Sequence, residues 1–404
     1  MRPIYLDNNA TTRTGREVVA AMLPYFTEAF GNASSTHAFG AGVALALSEA
    51  RQHLQALIGA AHDHEIVFTS GGTESDNAAI LSALEADAGR SEIVTTAVEH
   101  PAILALVGHL EKTRGVKVHY IGVDPRGRLD IEAYRHALGP RTAIASVMWA
   151  NNETGTIFPA GLLAKLAHDA GALFHTDAVQ AVGRIPIDLK TAAIDMLSLS
   201  GHKFHGPKGI GALYVRKGVK FKPLIRGGRQ ERGRRAGTEN VPAIIGLGKA
   251  AELAAARLDE EQTRVRALRD RLEAGVLERI DHCLVIGDEQ NRLPNTSNIA
   301  FAGIDSEAIL HHLAKEGIAA SSGSACASGT MEPSHVLRAM HVPPAALHGA
   351  IRFSFSRDNT AAEADRVLSL LPDIVTKLRL ASRLWQDRQA DAAADAAREA
   401  GRSA

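Results

Sequence analysis

Short apolar runs closed by glycine or polar turns alternate along the first half of the chain with stretches whose apolar residues recur three and four apart. The runs predict buried strands and the stretches predict amphipathic helices. Tyr5-Leu6 opens as a short strand and gives way at Asp7-Asn8-Asn9-Ala10-Thr11-Thr12 to turn-forming residues. Helices are expected over about 17–30 and 40–58, with the polar loop Gly31 to His37 between them. Strands then follow over 65–69, 93–98, 118–123, 142–150, 172–174, 195–199 and 210–215, with helices over 75–84, 130–138 and 159–170; Pro101 sits where another helix would begin. Such alternation is the signature of an α/β fold, a mainly parallel sheet covered by helices. The pattern changes near Phe221. Residues 226–240 are too glycine-rich for a helix and too polar for a core strand, and a long helical stretch over about 241–280 leads to a smaller second domain. There the pattern predicts strands over 284–286, 297–301 and 350–354 and a helix over 306–316. After Trp385 an Ala-, Asp- and Arg-rich tail has few apolar anchors and is expected to be helical at best, or disordered.

The polar interruptions share one address. Thr73, His100, Asn152, Asp177 and the turn Ser200-Gly201-His202-Lys203 all fall just past the carboxyl ends of predicted strands. In open α/β sheets that is the edge where ligands bind. The loop from Ser200 to Gly209 is tight and glycine-rich, and it fixes Lys203 beside small residues that leave space for a ligand. A crowded lysine loses its proton readily, and the free amine can condense with a carbonyl. Asp177, at the end of the strand before, would hold a pyridinium nitrogen protonated, so the two together suit a pyridoxal phosphate site. Gly71-Gly72-Thr73, opening a helix, supplies amides, a hydroxyl and the positive helix end that a phosphate needs; read alone, it is equally a plain helix cap. His175, Asp177, His202 and His205 also leave open a metal reading, since imidazole and carboxylate are ordinary zinc ligands.

Composition narrows the choices. The chain has 404 residues, enough for two domains, and Lys+Arg and Asp+Glu balance at 45 each, so no overall field favours nucleic acid or a membrane surface. The arginines at 226, 229, 232, 234 and 235 lack interleaved aromatic residues for base stacking. No apolar run approaches the roughly 20 residues of a membrane span, and the first residues lack the apolar core of a secretion signal, which predicts a cytoplasmic protein. Two cysteines argue against a disulfide framework. Cys283 begins an apolar strand and reads as packing. Cys326 lies in the small, polar run 319–330, where a thiol suits nucleophilic chemistry delivered to a site. Arg352, inside an apolar strand, can clamp a carboxylate or form a structural ion pair.

These residues resemble a known family, the cysteine desulfurases among the class V, fold-type I pyridoxal phosphate enzymes. The resemblance runs from Tyr5 to about Leu380 and rests on Tyr5-Leu6-Asp7-Asn8-Asn9-Ala10-Thr11-Thr12, Ser70-Gly71-Gly72-Thr73-Glu74, Val98-Glu99-His100, Ala150-Asn151-Asn152-Glu153, Ser200-Gly201-His202-Lys203, Ala236-Gly237-Thr238-Glu239-Asn240 and Ser322-Gly323-Ser324-Ala325-Cys326. The opening and Phe30-Gly31-Asn32-Ala33-Ser34-Ser35 are similar to the nitrogen-fixation (NifS-type) branch, and the long loop after Cys326 to the members that hand sulfur to a scaffold protein. The resemblance implies a seven-stranded, mainly parallel sheet in a large domain over 14–258. It implies a small α+β domain from 1–13 and 259–384, and a tail over 385–404. Lys203 would join the cofactor's aldehyde, with Asp177 on the ring nitrogen, Gln180 on the phenolic oxygen, and His100 stacked on the ring and passing protons. Gly72, Thr73, Ser200, Gly201 and His202 would hold the phosphate, joined by Thr238 from the partner of a homodimer. Asn152 and Arg352 would take the carboxylate of L-cysteine. Cys326 would attack its sulfur, leaving alanine, and would also be a candidate transient ligand of an iron–sulfur cluster during transfer to the scaffold, for nitrogenase. A selenocysteine lyase or another class V enzyme is the alternative within the fold. Ala33 stands where the family often has proline, and the tail extends past the family's usual end.

Overall fold

The computed structural model describes residues 3–322, 333–383 and 385–386. Its strands are β1 (Ile4–Tyr5), β2 (Ile66–Thr69), β3 (Glu92–Thr96), β4 (Lys117–Ile121), β5 (Thr142–Ser146), β6 (Leu173–Asp177), β7 (Met196–Ser200), β8 (Gly211–Val215), β9 (Cys283–Ile286), β10 (Thr296–Phe301), β11 (Ile318–Ala319) and β12 (Ala350–Ser354). Seven of them form one sheet in the order β2-β8-β7-β6-β5-β3-β4. Only β8 runs against the rest. The reason is local: the short connection from Ser200 to Gly211 holds no α-helix, and a parallel return needs a crossover of about a dozen residues or more. Strands β2, β3, β5, β7 and β8 are buried along their whole length, as a sheet covered on both faces requires. At the edge, β4 is partly exposed.

Helices cover both faces. On one, helix Ala38–Leu57 lies against helix Val241–Ala256, and Gly248 allows the approach: a Cβ there would sit 2.5 Å from the backbone of Ala50. On the other, helices Gly72–Ala86 and Pro101–Arg114 pack over a cluster that includes Ile80, Ile93, Val107 and Leu213. A separate apolar cluster joins Leu6, Leu272, Phe301, Phe353 and Val367. It lies between the antiparallel sheet β12-β10-β9 and helices Arg266–Arg279 and Ala361–Ala381. The N-terminal strand belongs to this cluster, since β1 pairs in parallel with β11.

Two expected helices are divided. The one over 17–30 breaks into Arg16–Met22 and Pro24–Thr27, because Pro24 has no amide to continue the ladder. The one over 241–280 stops at Ala256, where Arg257 leaves helical geometry; it resumes at Leu258 and reaches Arg279 through a wide turn over Glu261–Val265. The predicted tail lies outside the described residues.

The arginine-rich stretch is fastened to the large sheet. Glu231 accepts hydrogen bonds from both terminal nitrogens of Arg51 at 2.8 and 2.7 Å and from the Phe68 amide at 3.0 Å. The Arg51 guanidinium stacks 4.4 Å from the centre of the Phe68 ring. These bonds hold Glu231 and Arg232 at φ of 47° and 58°, a region side chains other than glycine seldom occupy. Glu231→Ala would leave the Arg51 charge buried and unpaired, so it is expected to cost about 3–5 kcal/mol. A lower urea midpoint at unchanged m-value checks this; an unmoved midpoint counts against it.

Candidate active site

A cavity of about 1040 Å³ opens where the parallel strands of the large sheet end, between that sheet and the second apolar cluster. Thr73, His100, Asn152, Asp177, Gln180, Ser200, His202, Lys203 and Arg352 all line it. Residues of both halves of the chain therefore meet at one place.

Lys203 ends a single 3-10 turn directly after β7. Its Nζ donates to the carbonyls of Asn9 and Ala10 at 2.7 and 2.9 Å. Burial first, then the nearby charges of Arg184 and Arg352, push its pKa down to about 8; Asp177 and Asp7 oppose this. Asp177 closes β6 and is buried, with Oδ1 accepting from the Val179 amide at 2.9 Å. Burial raises its pKa, while His100 and Lys203 pull it back toward the carboxylate.

Helix Gly72–Ala86 points its start into the cavity. Its cap, Gly71, makes no side-chain capping bond, which leaves the first amides open to a ligand. The space is tight there: a Cβ on Gly72 would lie 2.8 Å from Val179 Cγ2. His202 is held neutral, its pKa pushed down to about 4 by burial and by Lys203, and its Nδ1 lies 3.1 Å from Thr11 Oγ1. Gly201 stands apart from the cavity, with its amide donating to the Ile210 carbonyl at 3.0 Å. Thr238 is exposed and is not part of the lining.

His100 caps helix Pro101–Arg114, its Nδ1 accepting from the Ala102 amide at 3.1 Å. That bond places the proton of the neutral ring on Nε2. Desolvation lowers its pKa and Asp177 raises it. Arg352, in β12, is only 3% exposed and donates to Asp7 Oδ1 at 2.7 Å and to the Asn152 carbonyl at 2.9 Å. Its Nε has no hydrogen-bond partner among the described residues. Gln180 donates through Nε2 to the Asn9 carbonyl at 2.9 Å and accepts at Oε1 from Arg184. Cys326 lies outside the described residues.

Several of these neighbours were given no role by the sequence. Asp7 and Asn9 read in the sequence as turn residues, yet they receive Arg352 and Lys203. Arg184 is buried and joins Asn9 Oδ1 at 2.9 Å to the Lys203 carbonyl at 3.3 Å. Asp76 and Glu153 also line the cavity, and Glu99 is buried beside it, its pKa pushed up to about 8 by desolvation. The spacing of Asp76 from Gly72, one helical turn, was the available signal.

The metal reading is not supported by the geometry. The two ring nitrogens of His175 each bond a serine hydroxyl at 2.9 Å, Ser146 and Ser198, and His205 Nδ1 faces the Arg13 carbonyl. Among the described residues no three His, Cys, Asp or Glu side chains converge as a metal ion requires. Pyridoxal phosphate fits what is there: a lysine amine of lowered pKa, a buried carboxylate facing the same cavity, and an uncapped helix start beside a glycine that a side chain would fill.

Residues 4–367 match the aminotransferase class-V family. The chain belongs to that family, whose members use pyridoxal phosphate. It is 72% identical to a cysteine desulfurase of Gluconacetobacter diazotrophicus over 96% of its length and 98% of the relative's. It is 60% identical to the cysteine desulfurase NifS of Azotobacter vinelandii, over 95% and 96% of the two chains. A solved NifS-like protein superposes with a TM-score of 0.87 at 37% identity, covering 93% of this chain and all of that one. Its place within the family is among the cysteine desulfurases.

Proposed function

We infer that the chain is a pyridoxal-phosphate-dependent cysteine desulfurase, which converts L-cysteine to L-alanine and takes the sulfur onto Cys326 as a persulfide. The observation that carries the reading is the meeting, in one cavity, of the low-pKa amine of Lys203, the buried carboxylate of Asp177 and the guanidinium of Arg352. When bound, pyridoxal phosphate supplies an aldehyde for the substrate amine and a ring that draws electrons from the substrate's α-carbon. Gly72, Thr73, Ser200 and His202 would hold its phosphate, Gln180 its phenolic oxygen, and Asp177 a proton at its ring nitrogen.

Arg352 then orients the substrate through its carboxylate, with the Asn152 side chain beside it. Lys203 Nζ, titrating close to neutrality, takes the α-proton and returns it. His100, neutral at working pH and protonated on Nε2, hands protons across the cavity, including the one Cys326 must lose to attack. The Cys326 thiolate forms a bond to the substrate sulfur as the carbon–sulfur bond breaks, and the carbon left behind is protonated to alanine.

We read the chain as a homodimer. Thr238 is exposed, on a loop fastened by Arg51 and Glu231, and does not line its own cavity; this supports reading it as completing the partner's phosphate site. Phe30 and Phe39 form an exposed aromatic pair suited to an interface, their rings 5.7 Å apart. The second apolar cluster is read as the small domain, 1–13 with 259–384, against 14–258. No helix among the described residues is long and apolar enough to cross a membrane, and we place the enzyme in the cytoplasm. A scaffold protein for iron–sulfur clusters would receive the sulfur, and similarity to the NifS-type opening supports nitrogenase as its destination.

Alanine and sulfide released from L-cysteine in the presence of a reductant test the reading. Wild type is expected to yield equal amounts of both, and Cys326→Ala neither above background. Alanine that survives the substitution would move the sulfur chemistry off Cys326 and favour a lyase.

A further inference from the structure

Helix Gly72–Ala86 carries a second carboxyl group into the cavity, one turn beyond its phosphate-facing start. Asp76 is 1% exposed, lines the cavity, and has an Oδ1 with no hydrogen-bond partner among the described residues. The groups that face it are Asp177 and His175 from β6, Glu99 from the connection after β3, and the hydroxyl of Ser198 from β7. His175 Nε2 comes within 3.6 Å, but that ring is held at both nitrogens by serines and is kept neutral by burial, its pKa pushed down to about 3. None of these facing groups is a cation that would balance a charged Asp76.

Two carboxyls in one poorly solvated site do not both ionise near neutrality. Asp177 has the neighbours that favour charge, the Val179 amide together with His100 and Lys203. Asp76 has burial and two other carboxyls against it, with only the Ser198 hydroxyl in its favour, so its pKa lies well above the usual carboxylate range. The proton of the pair therefore rests on Asp76.

We propose that Asp76 is a positioning residue for the ring-nitrogen site: it stays neutral at working pH and, by ionising in alkaline solution, keeps the cofactor's ring nitrogen protonated to higher pH. The proposal rests on the reading that the ring nitrogen sits at Asp177. The sign follows from charge alone. As pH rises, Asp76 releases its proton to solvent, and the new negative charge beside Asp177 favours the pyridinium over the neutral ring. A site without Asp76 lacks that second charge and loses the ring proton earlier.

Holoenzyme loaded with pyridoxal phosphate carrying nitrogen-15 in the ring provides the test, with the ring nitrogen's chemical shift followed against pH. In Asp76→Asn the ring nitrogen is expected to lose its proton about one pH unit or more below wild type, with acid behaviour unchanged. Asp76→Ser, also without a titrating group, should show the same displacement. Titrations that coincide with wild type would overturn the proposal, and a purely structural role for Asp76 predicts that coincidence. If neither variant folds, infrared difference spectra of wild type with carbon-13-labelled aspartate decide: a protonated aspartate at neutral pH that ionises in alkali supports the proposal, and its absence defeats it. A wild-type ring nitrogen without a proton at neutral pH would defeat both this inference and the placement of the ring at Asp177. Coincident titrations of a protonated ring would defeat this inference alone.

Discussion

Lys203→Ala is expected to lower alanine release from L-cysteine by about 10³-fold or more, because one amine both anchors the cofactor and moves the α-proton. No other amine is available to replace it among the residues lining the cavity. Asp177 and the start of helix Gly72–Ala86 remain, so the variant should still bind the cofactor without the covalent link. Retention of more than a tenth of wild-type activity would remove Lys203 from the mechanism. The same amine sets a pH limb. With its pKa pushed down to about 8, the free-amine fraction rises roughly tenfold per pH unit below that value and levels off above it. Covalent capture of pyridoxal phosphate by apoenzyme, followed by absorbance, should rise and flatten in the same way. An ordinary lysine would move the onset of the plateau to about 10.4.

Arg352→Ala is expected to raise KM for L-cysteine by about 10- to 150-fold, the equivalent of roughly 1.5–3 kcal/mol for hydrogen bonds between charged partners. The effect should fall mainly on KM, since carboxylate binding is shared by ground state and transition state. Arg352→Lys is expected to recover only part of it, because an ammonium cannot make two parallel bonds to a carboxylate. Folding should survive either change: Asp7, which loses its partner, is only partly buried and can be hydrated. An unchanged KM for both variants would return Arg352 to a purely structural ion pair with Asp7.

The sheet was legible because its strands are buried on both faces and bounded by turns. Strand β12 falls where the apolar run at 350–354 predicts it, β2 and β8 each start one residue later than expected, and β7 is shifted by one residue along the chain. Divided helices were harder to read. The pattern across 17–30 and 241–280 continues through Pro24 and Arg257, and periodicity alone does not register a change of direction. Thr73, His100, Asn152, Asp177 and Lys203 could be singled out because strand ends in such folds project to one edge. The amine's lowered pKa could be anticipated from crowding, but not its cause, which includes Arg184 and Arg352 from distant parts of the chain.

The order of apolar runs and turns, read locally, determined by itself the class of fold, the edge where the site lies and the residue types that chemistry needs there. Resemblance in the motifs supplied their roles. Only the tertiary structure decided which unmarked residues support them. Asn9 reads locally only as a turn residue, yet it meets Lys203, Gln180 and Arg184 because the N-terminal segment folds back onto the cavity. Asp76 became chemically distinctive through burial beside Asp177. Charge, desolvation and hydrogen bonding act through space, over a few ångströms between residues the chain keeps far apart, and sequence spacing holds no record of them.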